Sequence, residues 1–152
     1  MTEEEKKFDK EKFNLLGNKI IKDLVDAIED ENWIFLKESK KIKIYKKKSE
    51  NSGIHQIRGD TIIDVPTKEF FNFAKGIETV ELWNNHWKNG NFIHKFDSNN
   101  EIYYFQYSTG VPFISDRDFI TFESRSINDG TYVFKIKFLN LNLDYFNYFS
   151  WR

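Results

Sequence analysis

The sequence predicts an α+β fold with an antiparallel sheet, and three observations carry that prediction. Apolar residues recur at helical spacing as far as residue 30, the period changes to two from Trp33, and the later strands are joined by connections too short for the crossovers of a parallel sheet. One helix precedes the strands and two short helices divide them, which is the order of an α+β domain.

Residues 2–30 form the first predicted helix. Phe13, Leu16, Ile20, Leu24 and Ile28 lie at three- and four-residue steps with Ile21 and Val25 beside them, so a single apolar stripe needs a single packing partner, the outside of a sheet. Thr2 and Glu5 have capping-box spacing, and Glu3 and Glu4 suit the positive end of the helix dipole. Gly17 costs about 1 kcal/mol against alanine in mid-helix, so it marks either a bend or a close neighbour.

From Trp33 three strands follow as a meander: Trp33 to Leu36, the stretch around Ile42 and Ile44, and Ile54 to Ile63. Glu38-Ser-Lys and Ser49 to Gly53 separate them. The lysine run Lys37, Lys40, Lys41, Lys43, Lys46, Lys47 and Lys48 could meet anionic lipid headgroups, but it reads more simply as a solvated face or as an edge strand that uses lysine to refuse further pairing. Pro66 opens a helical segment that Gly76 ends, and Glu78 to Trp83 is a second short helix. Strands are then expected near Phe92–Phe96, Glu101–Ser108, Arg117–Ser126 and Thr131–Phe138, with turn chemistry at Asp97-Ser-Asn-Asn and Asn128-Asp-Gly. Residues 140–152 are biased in composition without a clear period and form an atypical tail.

The totals fit one domain over 1–152. A net charge of -1 provides no overall field to draw nucleic acid, and none is expected as a partner. The lack of cysteine removes disulfides, thiolate metal sites and cysteine nucleophiles, and it suits a cytoplasmic location. The start has no apolar leader, and no apolar run is long enough to cross a bilayer. Aromatic residues reach 18%, which fits either a lined cavity or a genome rich in A and T.

Chemistry-bearing motifs are sparse. His55, His86 and His94 are the only neutral-pH bases; His86 and His94 flank Lys88-Asn-Gly-Asn, read as a loop, without a carboxylate at ligand spacing, so no metal or other cofactor is expected. Arg117 and Asp118 are adjacent in a strand and point to opposite faces, which favours separate structural partners: the Thr109–Asp116 turn for Arg117, and backbone, Lys88 or Lys95 for Asp118. Asp118 and Glu123 differ by an odd step, which argues against a pair of hydrolytic acids. The chain does not read as an enzyme.

Four pieces resemble the START family, the steroidogenic-acute-regulatory-related lipid-transfer domains. They are Trp33 before the first strand, Lys41-Ile-Lys-Ile-Tyr45, Pro66-Thr-Lys-Glu-Phe-Phe71 leading to Trp83, and Ile102-Tyr-Tyr followed by Pro112-Phe-Ile-Ser-Asp-Arg-Asp-Phe-Ile120. The last is the most specific, with Arg117 and Asp118 as its anchor, and the likeness runs from about Leu16 to Phe138.

The resemblance implies a helix-grip fold, in which a curved antiparallel sheet and a C-terminal helix enclose one hydrophobic lipid, with no covalent step. It implies a lipid partner of phospholipid, sterol or ceramide class and transient contact with a membrane surface. The cavity walls expected from it are Ile102, Tyr104, Gln106, Phe113, Thr121 and Glu123, with Arg125 able to reach in. In sterol-carrying members an acid and an arginine from neighbouring strands face each other; aligned through Arg117 and Asp118 these positions fall on Tyr104 and Glu123, so the charge pair is expected to be lost. The family's later strands and lid helix have no match in the tail, so the domain is expected to be incomplete at its C-terminus. Apolar surface left open in that way would favour a homodimer, or a second role as a protein-interaction module.

Overall fold

The computed structural model describes residues 8–49 and 53–139. The elements run α1 (Lys10–Glu29), β1 (Ile34–Ser39), β2 (Ile42–Lys48), β3 (His55–Asp60), α2 (Thr67–Ala74), α3 (Val80–Trp83), β4 (Trp87–Lys95), β5 (Asn100–Tyr107), β6 (Arg117–Asn128) and β7 (Thr131–Phe138). The expected order of helix, three strands, two helices and four strands is observed, all strand pairs being antiparallel. The chain forms two compact units, Asp23–Pro66 and the remainder.

The larger unit carries a four-stranded sheet in the order β4-β5-β6-β7. Register fixes its two faces, since Ile102 opposes Phe122 and Tyr103 opposes Thr121, and side chains alternate along each strand. One face carries Ile102, Phe122 and Phe96, onto which α1 lays Phe13, Leu16 and Ile20. The predicted stripe and its predicted partner therefore meet. Asp9 starts the helix, its carboxylate accepting from the Lys12 N–H at 3.0 Å, so α1 begins eight residues later than the periodicity implied. The Thr2–Glu5 capping box lies outside the described residues.

Gly17 is explained by a close neighbour. A Cβ built there would stand 2.8 Å from Ser124 Oγ and closer still to the Asn100 carboxamide, two buried groups that are themselves hydrogen-bonded to each other at 2.8 Å. Only glycine lets the helix approach the polar end of β5 and β6.

The opposite face carries Tyr103, Phe105, Tyr107 and Phe119, with Trp87, Ile77 and Val80 packed against them. Phe71 of α2 is buried against Tyr132 and Phe134 of β7. The helix ends as expected at Gly76, whose φ of 72° is the left-handed conformation of a C-terminal glycine. For the alternating faces of this sheet, the first is called the α1 face and the second the open face.

Strand β4 is longer than predicted. Lys88-Asn-Gly-Asn, read from sequence as a loop, lies within it, because the indole of Trp87 packs over Gly90 and the strand absorbs its irregularity in two bulges. His86 and His94 consequently stand at opposite ends of a strand roughly 25 Å apart and do not meet.

In the smaller unit β2 is the middle strand of β1-β2-β3, so its lysines cannot be guarding an edge, as one reading of the run supposed. Strand alternation divides them between the two faces. Trp33 donates its indole N–H to Ala27 O at 2.7 Å, and the charged ends of Lys47 and Arg58 lie over its ring. Lys47 also holds Asp30 at 2.7 Å, and that hydrogen bond, with one from the Asn32 backbone, takes the Asp30 carboxyl down to about 2.

Candidate functional site

Glu101 and Tyr103 of β5 and Thr121, Glu123 and Arg125 of β6 converge on the open face. Glu101 opposes Glu123 directly, and two carboxylates so placed would repel unless a cation lay between them. Arg125 is that cation: its Nε donates to Glu123 Oε1 at 2.5 Å, and its Nη2 donates to Glu101 Oε2 and to the Tyr103 hydroxyl at 3.0 Å. Tyr103 in turn donates to Glu101 Oε2, Lys95 approaches Glu101 Oε1 at 3.0 Å, and the Gly76 N–H caps Glu123 Oε2 at 3.2 Å. The side chains of Glu101, Tyr103, Thr121, Glu123 and Arg125 are all buried or nearly so, Glu123 being only 1% exposed, whereas Lys95 is exposed.

Environment separates the two acids. Burial pushes Glu123 up, and although Arg125 and the Gly76 N–H pull the other way, the net shift is upward. Burial also pushes on Glu101, but hydrogen bonds from Tyr103, Lys95 and Arg125 outweigh it and hold that carboxyl below its ordinary value. Burial and the neighbouring Glu101 carboxylate raise Tyr103, keeping it a neutral donor. Burial works against the Arg125 charge, yet Glu123 and Glu101 raise its pKa overall, so the guanidinium stays charged.

The segment from Phe71 to Val80 covers the middle of the open face, and apolar side chains are left exposed beside it. Phe92 is 53% exposed, Ile136 37% and Phe138 58%, with Phe119 tilted against Phe138 at 4.9 Å between centroids and Phe92 edge-on to Tyr103. A buried charged group inside an exposed apolar surface can orient the polar end of a molecule whose remainder is hydrocarbon.

The predicted wall residues are not brought together. Ile102, Tyr104 and Gln106 lie on the α1 face, where Ile102 is fully buried in the core under the helix and burial together with the Asp118 carboxylate raises the Tyr104 hydroxyl. Thr121, Glu123 and Arg125 lie on the open face. Tyr104 opposes Ile120 and cannot reach Glu123. An acid and an arginine from neighbouring strands do face each other, but as Glu101 and Arg125, away from the aligned positions Tyr104 and Glu123.

The other singled-out residues fall elsewhere. Phe113 is fully exposed at the tip of the β5–β6 loop. Asp116, not Asp118, takes Lys88, at 2.7 Å, and Lys95 goes to Glu101. The loop is closed by Thr109, whose hydroxyl donates to Ile114 O at 3.0 Å, while Arg117 is exposed. Trp83 is half-exposed at the end of α3. Sequence reasoning missed Glu101, Tyr103 and Gly76; an acid inside the apolar run of β5 was the available signal.

A START-domain family model matches residues 24–135. Among solved structures, human StAR-related lipid transfer protein 5 superposes with a TM-score of 0.75 at 15% identity, over 89% of this chain and 66% of that one. A STAR-related lipid transfer protein fragment from Xanthomonas axonopodis gives 0.64 at 16% identity, over 80% and 65%. Human STARD10 gives 0.66 at 19% identity, over 75% and 47%. The chain therefore spans between about half and two thirds of the structures it matches. No curated protein sequence matches it significantly. The shared architecture is the helix-grip fold, without its C-terminal helix among the described residues.

Proposed function

The chain belongs to the START domain family, and from that premise we propose that it binds one lipid on the open face of the β4–β7 sheet and carries it between membranes without covalent chemistry. The observation that supports this is the buried Arg125–Glu101 pair set within exposed aromatic and aliphatic surface. Acyl or ring carbons would lie against Phe92, Phe119, Ile136 and Phe138, each square ångström removed from water contributing about 25 cal/mol. The polar end would approach the cluster from its Arg125 side, with the buried Tyr103 and Glu123 positioning the guanidinium.

Exchange with a membrane needs an apolar contact point, and the loop between β5 and β6 offers one. Val111, Phe113 and Ile114 are all exposed at its tip, and Thr109 and Ser108 hold it shaped through hydrogen bonds to Ile114 O, Val111 N and Gly110 N. The protein would then work in the cytoplasm, touching bilayers transiently. No described helix is long and apolar enough to cross one.

Delipidated full-length chain incubated with a mixed lipid extract and examined by native mass spectrometry is expected to carry one lipid. No adduct across phospholipids, sterols and ceramides would refute the proposal. The exposed Ile136 and Phe138 also favour a second reading, in which the open face receives an amphipathic helix of another protein. Stabilisation by such a peptide, together with no lipid uptake, would decide for it.

A further inference from the structure

Taking lipid binding at the open face as given, we infer that the lipid is uncharged at its polar end, where a hydroxyl or carbonyl oxygen, and no phosphate, meets Nη1 of Arg125. Arg125 donates from Nε to Glu123 and from Nη2 to Glu101 and the Tyr103 hydroxyl, while Nη1 has no partner among the described residues. No buried side-chain nitrogen or oxygen of these residues lacks a hydrogen-bond partner, so Nη1 is not fully buried. Its N–H donors remain for a ligand arriving from the Arg125 side.

Those donors carry no charge to spare. Two carboxylates share one guanidinium: with Glu123 ionised the buried group is one charge negative, and with Glu123 protonated it is neutral. Lys95 reaches Glu101 Oε1 at 3.0 Å but is 54% exposed, so solvent screens it. Other cations are placed elsewhere. Lys75 lies over the Phe71 ring, and Arg117 stands at the far end of β6, roughly 26 Å from Arg125 at about 3.3 Å per residue. Arg125 and Glu101 are the ionised side chains that act on Glu123.

A phosphate at Nη1 would give up its hydration to lie beside carboxylates that already claim the same guanidinium, and like charges repel strongly away from water. A choline ammonium fares no better, because Glu101 already accepts from Tyr103, Lys95 and Arg125, and Glu123 from Arg125 and the Gly76 N–H. A hydroxyl or carbonyl oxygen brings no charge and accepts a hydrogen bond strengthened by its cationic donor. The ligand is then a diacylglycerol, ceramide or sterol and not a phospholipid.

Dioleoylglycerol and dioleoylphosphatidic acid differ only in the phosphate and make a matched pair of probes. Offered together at equal concentration in neutral detergent micelles to the delipidated full chain, they should give a native mass spectrum in which the dioleoylglycerol adduct is in excess by about tenfold or more. Glu101→Gln removes one negative charge while Glu123 still holds the guanidinium, so it should cut that preference about tenfold, with circular dichroism to establish that the variant is folded. Equal adducts in the native chain, or an excess of the phosphatidic acid, would overturn the inference while leaving lipid binding intact, as would a preference unchanged in the folded variant. No adduct with either probe or with any lipid of a mixed extract would remove the lipid-binding reading itself.

Discussion

Arg125 on β6 reaches diagonally to Glu101 on β5, donating from Nη2 to that carboxylate while its Nε holds Glu123 at 2.5 Å. One guanidinium thus balances two acids that the strand register places directly opposite each other. The arrangement is selective as much as stabilising, since a buried ion pair gains little over apolar packing but costs heavily when one partner is removed.

Arg125→Met should therefore destabilise the protein by about 3–5 kcal/mol, because it leaves Glu123 buried without its cation and Glu101 with only the exposed Lys95. Adding Glu101→Gln and Glu123→Gln to the same chain should recover much of that loss. Urea unfolding midpoints of the single and triple variants check both expectations.

Gly17→Ala should destabilise despite the better helix propensity of alanine. The new methyl group meets Asn100 and Ser124, both buried, and forcing them apart costs about 1–3 kcal/mol against a propensity gain of about 1. A thermal midpoint lowered by a few degrees is the expected reading, and an unchanged or raised midpoint would show that the contact is not tight.

His94 packs face to face on Phe8 at 4.7 Å and edge-on to Phe96, and this burial lowers its pKa below the ordinary 6.5. The unfolded chain then binds the proton more readily than the folded one. Stability contributed by the neutral ring is complete above pH 6.5 and is lost as pH falls from there to the folded pKa. His94→Leu should flatten the dependence of the melting temperature on pH in that window, relative to the native chain.

Phe113 holds a φ of 68°, which costs a side-chain-bearing residue about 1–2 kcal/mol. Phe113→Gly should relieve that strain and raise the melting temperature, while weakening sedimentation with anionic vesicles by about tenfold through the lost apolar anchor. Parallel loss of stability and binding would instead make Phe113 a structural residue.

Much of this fold was readable from the residues. The stripe from Phe13 to Ile28 and the switch of period at Trp33 gave the helix and the strands, since both are one-dimensional signals that survive without tertiary context. The site was harder. In β5 both faces are apolar or aromatic, Ile102 and Tyr104 on one and Tyr103 and Phe105 on the other, so alternation does not say which side meets α1. Pairing with β6 depends on the geometry of the loop from Ser108 to Asp116, and a slip of one residue exchanges every side chain between faces. Alignment through Arg117 and Asp118 set Tyr104 against Glu123 without regard to that register, and Glu101 went unnoticed. Strand β4 was cut short for a related reason: Asn89 and Gly90 look like a turn until Trp87 is seen to cover the glycine.

The most direct test of the account is where a bound lipid touches the sheet. A lipid with a photoactivatable group in its acyl chain, crosslinked to the full protein and mapped by peptide mass spectrometry, should label the open-face residues Phe92, Phe119, Ile136 and Phe138 and spare Ile102, Tyr104 and Phe122. Labelling of the α1 face, or scattered labelling that unlabelled lipid does not compete away, would contradict it.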